Sequence, residues 1–110
     1  MYTCDYLQRE PARTEVDTLP GKVLLEFGAP WCGHCIAAQP LLQAALAAGD
    51  IQHLKIEDGS GRPLGRSFGV KLWPTLVFLC DGRELARLVR PTALADVEGA
   101  VATLAAADRG

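Results

Sequence analysis

The sequence lacks the features that mark several large classes of protein. It has no excess of either charge, with 11 Lys and Arg against 13 Asp and Glu, so there is no electrostatic case for binding nucleic acid or an anionic membrane. Its longest apolar stretches, 41–48 and 72–80, are too short to span a bilayer. The first fifteen residues are polar and charged where a signal peptide needs an apolar core. These absences predict a cytoplasmic protein that binds neither nucleic acid nor membrane.

The chain also lacks a regular set of cysteine pairs. Of its four cysteines, Cys32 and Cys35 are two residues apart, whereas Cys4 and Cys80 do not form a second close pair. We therefore expect no disulfide framework of the kind found in small secreted domains, and Cys4 and Cys80 are predicted to be free thiols. A zinc or iron–sulfur site usually takes four ligands from two such pairs, so we predict no metal ion.

The apolar residues follow an alternation of strand-like runs and helical spacing, within a length of 110 residues that suits one domain. Four strands are predicted, at 22–29, 51–57, 75–80 and 83–89, the last two joined by an Asp81-Gly82 hairpin turn. Two main helices are predicted, at about 32–48 and from Leu94 to Leu104, and two short ones, with Pro11 in the first turn of one and Pro63 near the start of the other. This order predicts an α/β fold whose sheet is covered by helices on both faces.

The two close cysteines fall where the first strand should become a helix. A helix N-terminus presents unpaired N–H groups and the positive end of the helix dipole, and both favour a thiolate at Cys32. Cys32 is therefore the predicted nucleophile. Cys35 should lie one turn further into the helix, more buried, and able to close a disulfide with Cys32. Such a pair attacks a substrate disulfide with one sulfur and resolves the mixed disulfide with the other.

Three segments resemble the thioredoxin superfamily, in the family's order and at its separation. They are FGAPWCGHC at 27–35, LWPTLVFL at 72–79 and CDGREL at 80–85, and Pro40 matches the proline that kinks the family's active-site helix. The resemblance implies the thioredoxin fold, a central mixed sheet of about four strands flanked by helices on both faces. It also implies one thioredoxin-like domain at 21–110, preceded by an extension at 1–20 that contains a short helix. The first thirty residues match poorly, so the family's N-terminal strand is expected to be short or missing.

The resemblance also implies the residues that hold a substrate. Pro74 corresponds to the family's cis-proline, which packs beside the cysteines. The residue before it, here Trp73, offers backbone hydrogen bonds to an extended substrate. Trp31, Trp73 and Pro74 are thus the predicted substrate-binding residues, and a core or rim aromatic is the alternative for Trp73.

Glu26 stands alone in the apolar strand segment VLLEFG. It matches the acid that, in the family, relays a proton to and from the resolving cysteine. The alternative is an exposed charge on a strand face. If Glu26 is buried, its removal is predicted to leave stability unchanged or raise it, because the desolvation cost disappears. His53 falls where a family lysine pairs with this acid, and we expect it either to titrate together with Glu26 and the thiols or to be an ordinary strand residue.

Further departures concern the surroundings of the cysteines. Gly33-His34 is the pair found in protein disulfide isomerases, whereas thioredoxins have Gly-Pro. An imidazolium at His34 would stabilise the Cys32 thiolate, which predicts a redox potential between those of the two families. Gly28 replaces a common aromatic residue and is expected to leave space. The segment that contains Arg90 and Pro91 replaces a glycine-containing loop beside the family's partner-docking surface.

Together these residues predict a thiol–disulfide oxidoreductase that reduces or exchanges protein disulfides. Cys32, Cys35, Glu26 and His34 are the predicted catalytic residues, and no cofactor is expected beyond the redox dithiol. The expected partners are protein disulfide substrates and a thiol or reductase electron donor, and the expected state is a monomer. Two alternatives stay open, a disulfide isomerase or oxidase acting in protein folding and a non-catalytic binding module.

Overall fold

A computed structural model describes residues 1–107 of the chain. The elements in chain order are α1 (Arg13–Asp17), β1 (Lys22–Gly28), α2 (Gly33–Ala45), β2 (Gln52–Glu57), α3 (Pro63–Ser67), β3 (Thr75–Cys80), β4 (Arg83–Val89) and α4 (Leu94–Ala105). Every predicted element is present, and β3 and β4 have the predicted bounds.

Two helix boundaries differ from the prediction. Helix α2 ends at Ala45, rather than near residue 48, because the chain turns at Leu46 and buries its side chain in the core. The chain then reaches Gly49 at a φ of 113°, a conformation that favours glycine. Pro11 precedes α1 instead of lying in its first turn. The N–H of Ala12, the N-cap, donates to the Glu15 carboxylate at 3.1 Å, so the helix starts only at Arg13.

The sheet is mixed, with the strand order β2-β1-β3-β4. β1 and β2 are parallel and are joined by α2, as a parallel pair requires a crossover. β3 is antiparallel to both β1 and β4. In register, Glu26 lies opposite Lys55 on one side and Leu76 on the other.

Alternate residues of β1 pack into two separate apolar cores. Leu24 faces α2 and α4, where it packs with Leu42 and Leu104. Leu25 faces the opposite side, where Leu64 of α3 closes the second core. Because successive side chains of a strand point to opposite faces, Glu26 lies on the α2 face together with Leu24. The predicted four-stranded mixed sheet with helices on both faces is confirmed.

Residues 1–7, called here the N-terminal segment, lie beside the edge strand β2. The segment pairs with the sheet only at the Tyr6–Lys55 bridge, and the Leu7 N–H donates to the Lys55 carbonyl at 2.9 Å. The expectation of a short or missing N-terminal strand is therefore confirmed. The division of the chain at residue 20 stays a prediction, and the predicted domain end at residue 110 lies outside the described residues.

Across residues 1–107, none of the helices combines the length and the apolar character needed to cross a membrane.

Candidate active site

The two cysteines occupy the start of α2. Cys32 is the N-cap, and its Sγ accepts a hydrogen bond from the Cys35 N–H at 3.2 Å. The helix end and this N–H both favour negative charge on the Cys32 sulfur. Both thiols are free, and their residues are 7% and 2% exposed, so Cys32 is the more accessible of the two.

Cys35 is held as a neutral thiol. Burial, followed by its hydrogen bond with Cys32, raises the pKa of Cys35 to about 12, and the charge of Glu26 acts in the same direction. At neutral pH this sulfur therefore carries its proton. It becomes a nucleophile only if a nearby group takes that proton away.

Aromatic side chains border the cysteines. Trp73 packs against the small apolar cluster of Ala29, Cys32 and Cys35. The Trp31 ring stands edge-on to the Trp73 ring, with 5.5 Å between the ring centroids, and Trp31 is 74% exposed. The peptide bond that joins Trp73 to Pro74 is cis, in agreement with the correspondence to the family's cis-proline. An exposed aromatic surface thus adjoins the sulfurs.

Trp73 is anchored by polar contacts on two sides. Its Nε1–H donates to Asp58 Oδ2 at 2.9 Å, and its carbonyl accepts from Arg90 Nε at 2.8 Å. Asp58 in turn lies against Gly65 of α3, where a Cβ atom would collide with the Asp58 carboxylate. Trp73 is partly buried, so it lies at the rim of the site rather than in the core, and its role in substrate binding stays a prediction.

A depression of about 170 Å³ in the protein surface lies beside His34. It is lined by His34, Ala37, Leu41, Arg90, Pro91 and Thr92. The structure therefore places Arg90 and Pro91 beside the residue that separates the two cysteines, so their charge and bulk border the site.

Glu26 is fully buried on the α2 face, which excludes the alternative of an exposed strand charge. His53 Nε2 lies 2.8 Å from Glu26 Oε1, and Gln39 Nε2 donates to Glu26 Oε2 at 2.8 Å. His53 is therefore the partner of the acid, as its position in the sequence predicts. Its alternative as an ordinary strand residue is wrong.

Gln39 and Lys55 belong to the same cluster, and the sequence interpretation missed both. Gln39 Nε2 also donates to the Cys35 carbonyl at 2.8 Å, and its Oε1 accepts from Lys55 Nζ at 3.0 Å. Lys55 is only 4% exposed and donates to the Cys4 carbonyl at 3.2 Å. Two spacings could have revealed them. Gln39 follows Cys35 by one helical turn, and Lys55 shares a strand face with His53.

The expectation of open space at Gly28 is wrong. A Cβ atom there would lie 2.6 Å from the Cys35 sulfur and 3.2 Å from the Tyr6 hydroxyl. Tyr6 comes from the N-terminal segment, and its burial, together with the nearby Cys35 and Glu26, raises the pKa of its hydroxyl. The volume left by glycine is thus occupied by the Cys35 sulfur and the Tyr6 side chain.

No group of three or more His, Cys, Asp or Glu side chains that could hold a metal ion occurs between residues 1 and 107.

Comparison with known proteins decides the family. The family model described as Thioredoxin matches residues 5–103. The chain belongs to the thioredoxin family. The predicted superfamily is thereby confirmed, and the oxidoreductase class predicted for the Cys32–Cys35 dithiol agrees with it.

Individual relatives support the assignment. The structure of thioredoxin 2 from Pseudomonas aeruginosa PAO1 in its reduced form is 55% identical, with a TM-score of 0.84, and the match covers 94% of this chain and 96% of that one. Thioredoxin from Chlamydia muridarum is 42% identical over 71 residues, 63% of this chain and 69% of the relative. Protein disulfide-isomerase A3 from Gallus gallus is 39% identical over 67 residues, 59% of this chain. The match spans 13% of the length of that isomerase and 18% of the Neurospora crassa isomerase erp38.

Proposed function

We propose that this thioredoxin-family chain is a thiol–disulfide oxidoreductase that reduces or exchanges protein disulfides. The observation that carries the proposal is the asymmetry of the dithiol. Cys32 caps a helix and accepts an N–H hydrogen bond, whereas Cys35 is buried with a pKa of about 12. One sulfur is thus prepared to attack, and the other keeps its proton until it is needed.

The reaction proceeds in two exchanges. The Cys32 thiolate attacks a sulfur of the substrate disulfide, the substrate S–S bond breaks, and the first substrate sulfur leaves as a thiolate that takes up a proton. Cys35 then loses its proton to Glu26 and attacks the Cys32 sulfur. The bond between Cys32 and the substrate breaks, a Cys32–Cys35 disulfide forms, and the second substrate sulfur leaves as a thiolate that takes up the proton held by Glu26. Two electrons and two protons pass to the substrate. A thiol or a reductase returns them to the protein, and no cofactor other than the dithiol takes part.

Substrate binding is assigned to the rim around the sulfurs. The exposed Trp31 ring and the anchored Trp73 supply apolar surface, and Pro74 holds the backbone beside it. Arg90 lies beside His34 at the adjacent depression, where its positive charge favours a substrate segment with negative charge.

The proposed setting is the cytoplasm, with the protein acting as a monomer. Cys4 is an exposed free thiol, and Cys80 is a buried one, which suits a reducing compartment. The direction of electron flow follows from the Cys32–Cys35 reduction potential. A value near about −270 mV indicates a reductant, and one near about −180 mV indicates an isomerase or oxidase; the Gly33-His34 pair predicts a potential between these two values.

Reduction of insulin with dithiothreitol as electron donor tests the proposal. Cys32→Ser should abolish turnover, and Cys35→Ser should accumulate a mixed disulfide with an insulin chain, detected by mass spectrometry. Cys80→Ala, which removes a thiol outside the site, is the matched control and should retain turnover. Wild-type turnover by the Cys32→Ser variant would refute the proposed function.

A further inference from the structure

His53 is held by a hydrogen bond at each ring nitrogen. The backbone N–H of Thr3 donates to Nδ1 at 2.9 Å, and Nε2 lies 2.8 Å from Glu26 Oε1. A backbone N–H can only donate, so Nδ1 must present its lone pair. In a neutral imidazole the proton then lies on Nε2, and His53 donates to Glu26. The N-terminal segment therefore fixes the tautomer of a residue in the strand that pairs with β1.

Glu26 consequently receives one donor at each oxygen, His53 at Oε1 and Gln39 at Oε2. Gln39 cannot present its carbonyl to the acid, because its Oε1 already accepts from Lys55 Nζ at 3.0 Å and from the Tyr2 hydroxyl at 2.7 Å. Since both contacts require acceptors, the surroundings select the carboxylate over the carboxylic acid.

A protonated His53 does not fit this arrangement. The imidazolium would carry a hydrogen on Nδ1, directed at the Thr3 N–H, and two donors would face each other. A second positive charge would also join the buried Lys55 ammonium. The other titratable groups around the pair are the thiols of Cys4, Cys32 and Cys35 and the hydroxyls of Tyr2 and Tyr6. The thiols of Cys4 and Cys35 and both hydroxyls are neutral when they hold their protons. The Glu26 carboxylate and a Cys32 thiolate would favour a charge on the ring, so the opposing donors at Nδ1 and the Lys55 ammonium are what disfavour the imidazolium.

We propose that His53 is a positioning residue for the resolving step, and that the Thr3 N–H sets it. Neutral His53 keeps Glu26 charged and oriented as the acceptor of the Cys35 proton, and does not itself take up that proton. This inference rests on the proposed function, in which Glu26 receives the proton. It places the N-terminal segment among the parts that make Cys35 reactive.

Two amide variants separate donation from titration. In His53→Gln the side-chain nitrogen can reach the place of Nε2 and donate to Glu26, but it cannot titrate. In His53→Asn the side chain is too short to reach Glu26. We expect His53→Asn to slow resolution of a preformed mixed disulfide about tenfold at pH 7, the loss typical of one hydrogen bond to a charged group. The acid limb of its pH–rate profile should move to higher pH, while His53→Gln stays close to wild type in both respects.

The rate of attack by Cys32 is the internal reference, since neither variant changes that cysteine. Equal resolution rates and equal pH profiles for His53→Asn and the wild type would overturn the inference. If the wild type itself fails to reduce insulin, the proposed function fails; if it reduces insulin and His53→Asn resolves normally, only the present inference fails.

The tautomer can be measured without any activity. NMR of the reduced protein labelled with ¹⁵N-histidine should show the neutral Nε2–H form of His53 at pH 7. Thr3→Pro removes the backbone N–H, whereas Thr3→Ala retains it. We expect the Nε2–H form to persist in the alanine variant, and the proline variant to slow resolution and to let the ring titrate between about pH 5 and 8. A ring that is protonated, or that carries its proton on Nδ1, in the wild type at pH 7 would overturn the inference whatever the proline variant does.

Discussion

Replacing Glu26 with glutamine should destabilise the protein. The substitution preserves the shape of the side chain but exchanges one acceptor oxygen for an NH₂ donor. Both neighbours, His53 and Gln39, donate to Glu26, so the new NH₂ must face one of them donor to donor. Neither neighbour can exchange its donor for an acceptor, because His53 Nδ1 accepts from the Thr3 N–H and Gln39 Oε1 accepts from Lys55 Nζ.

Two opposing effects set the size of the change. Removing a buried carboxylate relieves its desolvation cost, which on its own predicts a variant at least as stable as the wild type. Against this, a hydrogen bond to a charged group is lost, worth about 1.5–3 kcal/mol, and a buried donor left unpaired costs about 1–3 kcal/mol. Gln39 bridges Lys55 and Glu26, so the substitution also removes the negative charge that partly compensates the buried Lys55 ammonium. We expect the free energy of unfolding to fall by roughly 1–3 kcal/mol, the opposite of what the sequence alone predicts.

Urea unfolding of the reduced protein at pH 7 measures this change. Glu84→Gln is the matched control, because Glu84 pairs with Arg87 at the partly exposed surface, 2.8 Å away, and an exposed pair contributes about 1 kcal/mol at most. A Glu26→Gln variant with an unchanged denaturant slope and wild-type or higher stability would show that desolvation outweighs the two donors, and would refute the reasoning.

Three further results are expected. Gly28→Ala should lower stability by about 1–3 kcal/mol, because its Cβ would crowd the Cys35 sulfur. The control Gly99→Ala meets no neighbouring atom in its helix and should raise stability. Thermal unfolding measures both variants, and an unchanged midpoint for Gly28→Ala would contradict the close contact. The pKa of Cys35 is raised from 9.0 to about 12, so the unfolded chain releases this proton first, and the reduced protein should lose up to about 1.4 kcal/mol of stability per pH unit from this group as pH rises through that interval. The oxidised protein, in which Cys35 cannot titrate, should not show this loss, and equal alkaline slopes would argue against the shift. His34→Pro should make the dithiol more reducing by about 30 mV in a glutathione titration, and an unchanged potential would mean that the imidazole does not act on Cys32.

The strands are predictable because their signals are local. The apolar run of β3, the Asp81-Gly82 turn and the segment of β4 follow one another without a gap. The end of α2, by contrast, is not determined by a local signal in the sequence. Four alanines, two on each side, surround Leu46 and would continue a helix by propensity, but burial of Leu46 against the core decides where the chain turns.

The site divides in the same way. The cysteine spacing, the lone acid Glu26 and the strand position of His53 identify the reacting groups, because each stands out from its immediate neighbours. The residues that contact these reacting groups have no comparable signal in the sequence. Lys55 meets the Cys4 carbonyl across 51 positions, and Tyr6 reaches Gly28 only because the N-terminal segment runs beside β2. That segment has no apolar periodicity from which its path could be predicted.

The missing side chain of Gly65 has a consequence for how such sequences can diverge. It makes room for Asp58, whose carboxylate accepts the indole N–H of Trp73 at the rim of the site. A larger residue at position 65 would push the carboxylate away from the indole and break its hydrogen bond. Selection would then no longer favour aspartate at 58 together with tryptophan at 73. Among relatives these three positions should therefore vary as a set, and a sequence that keeps tryptophan at 73 should keep glycine at 65.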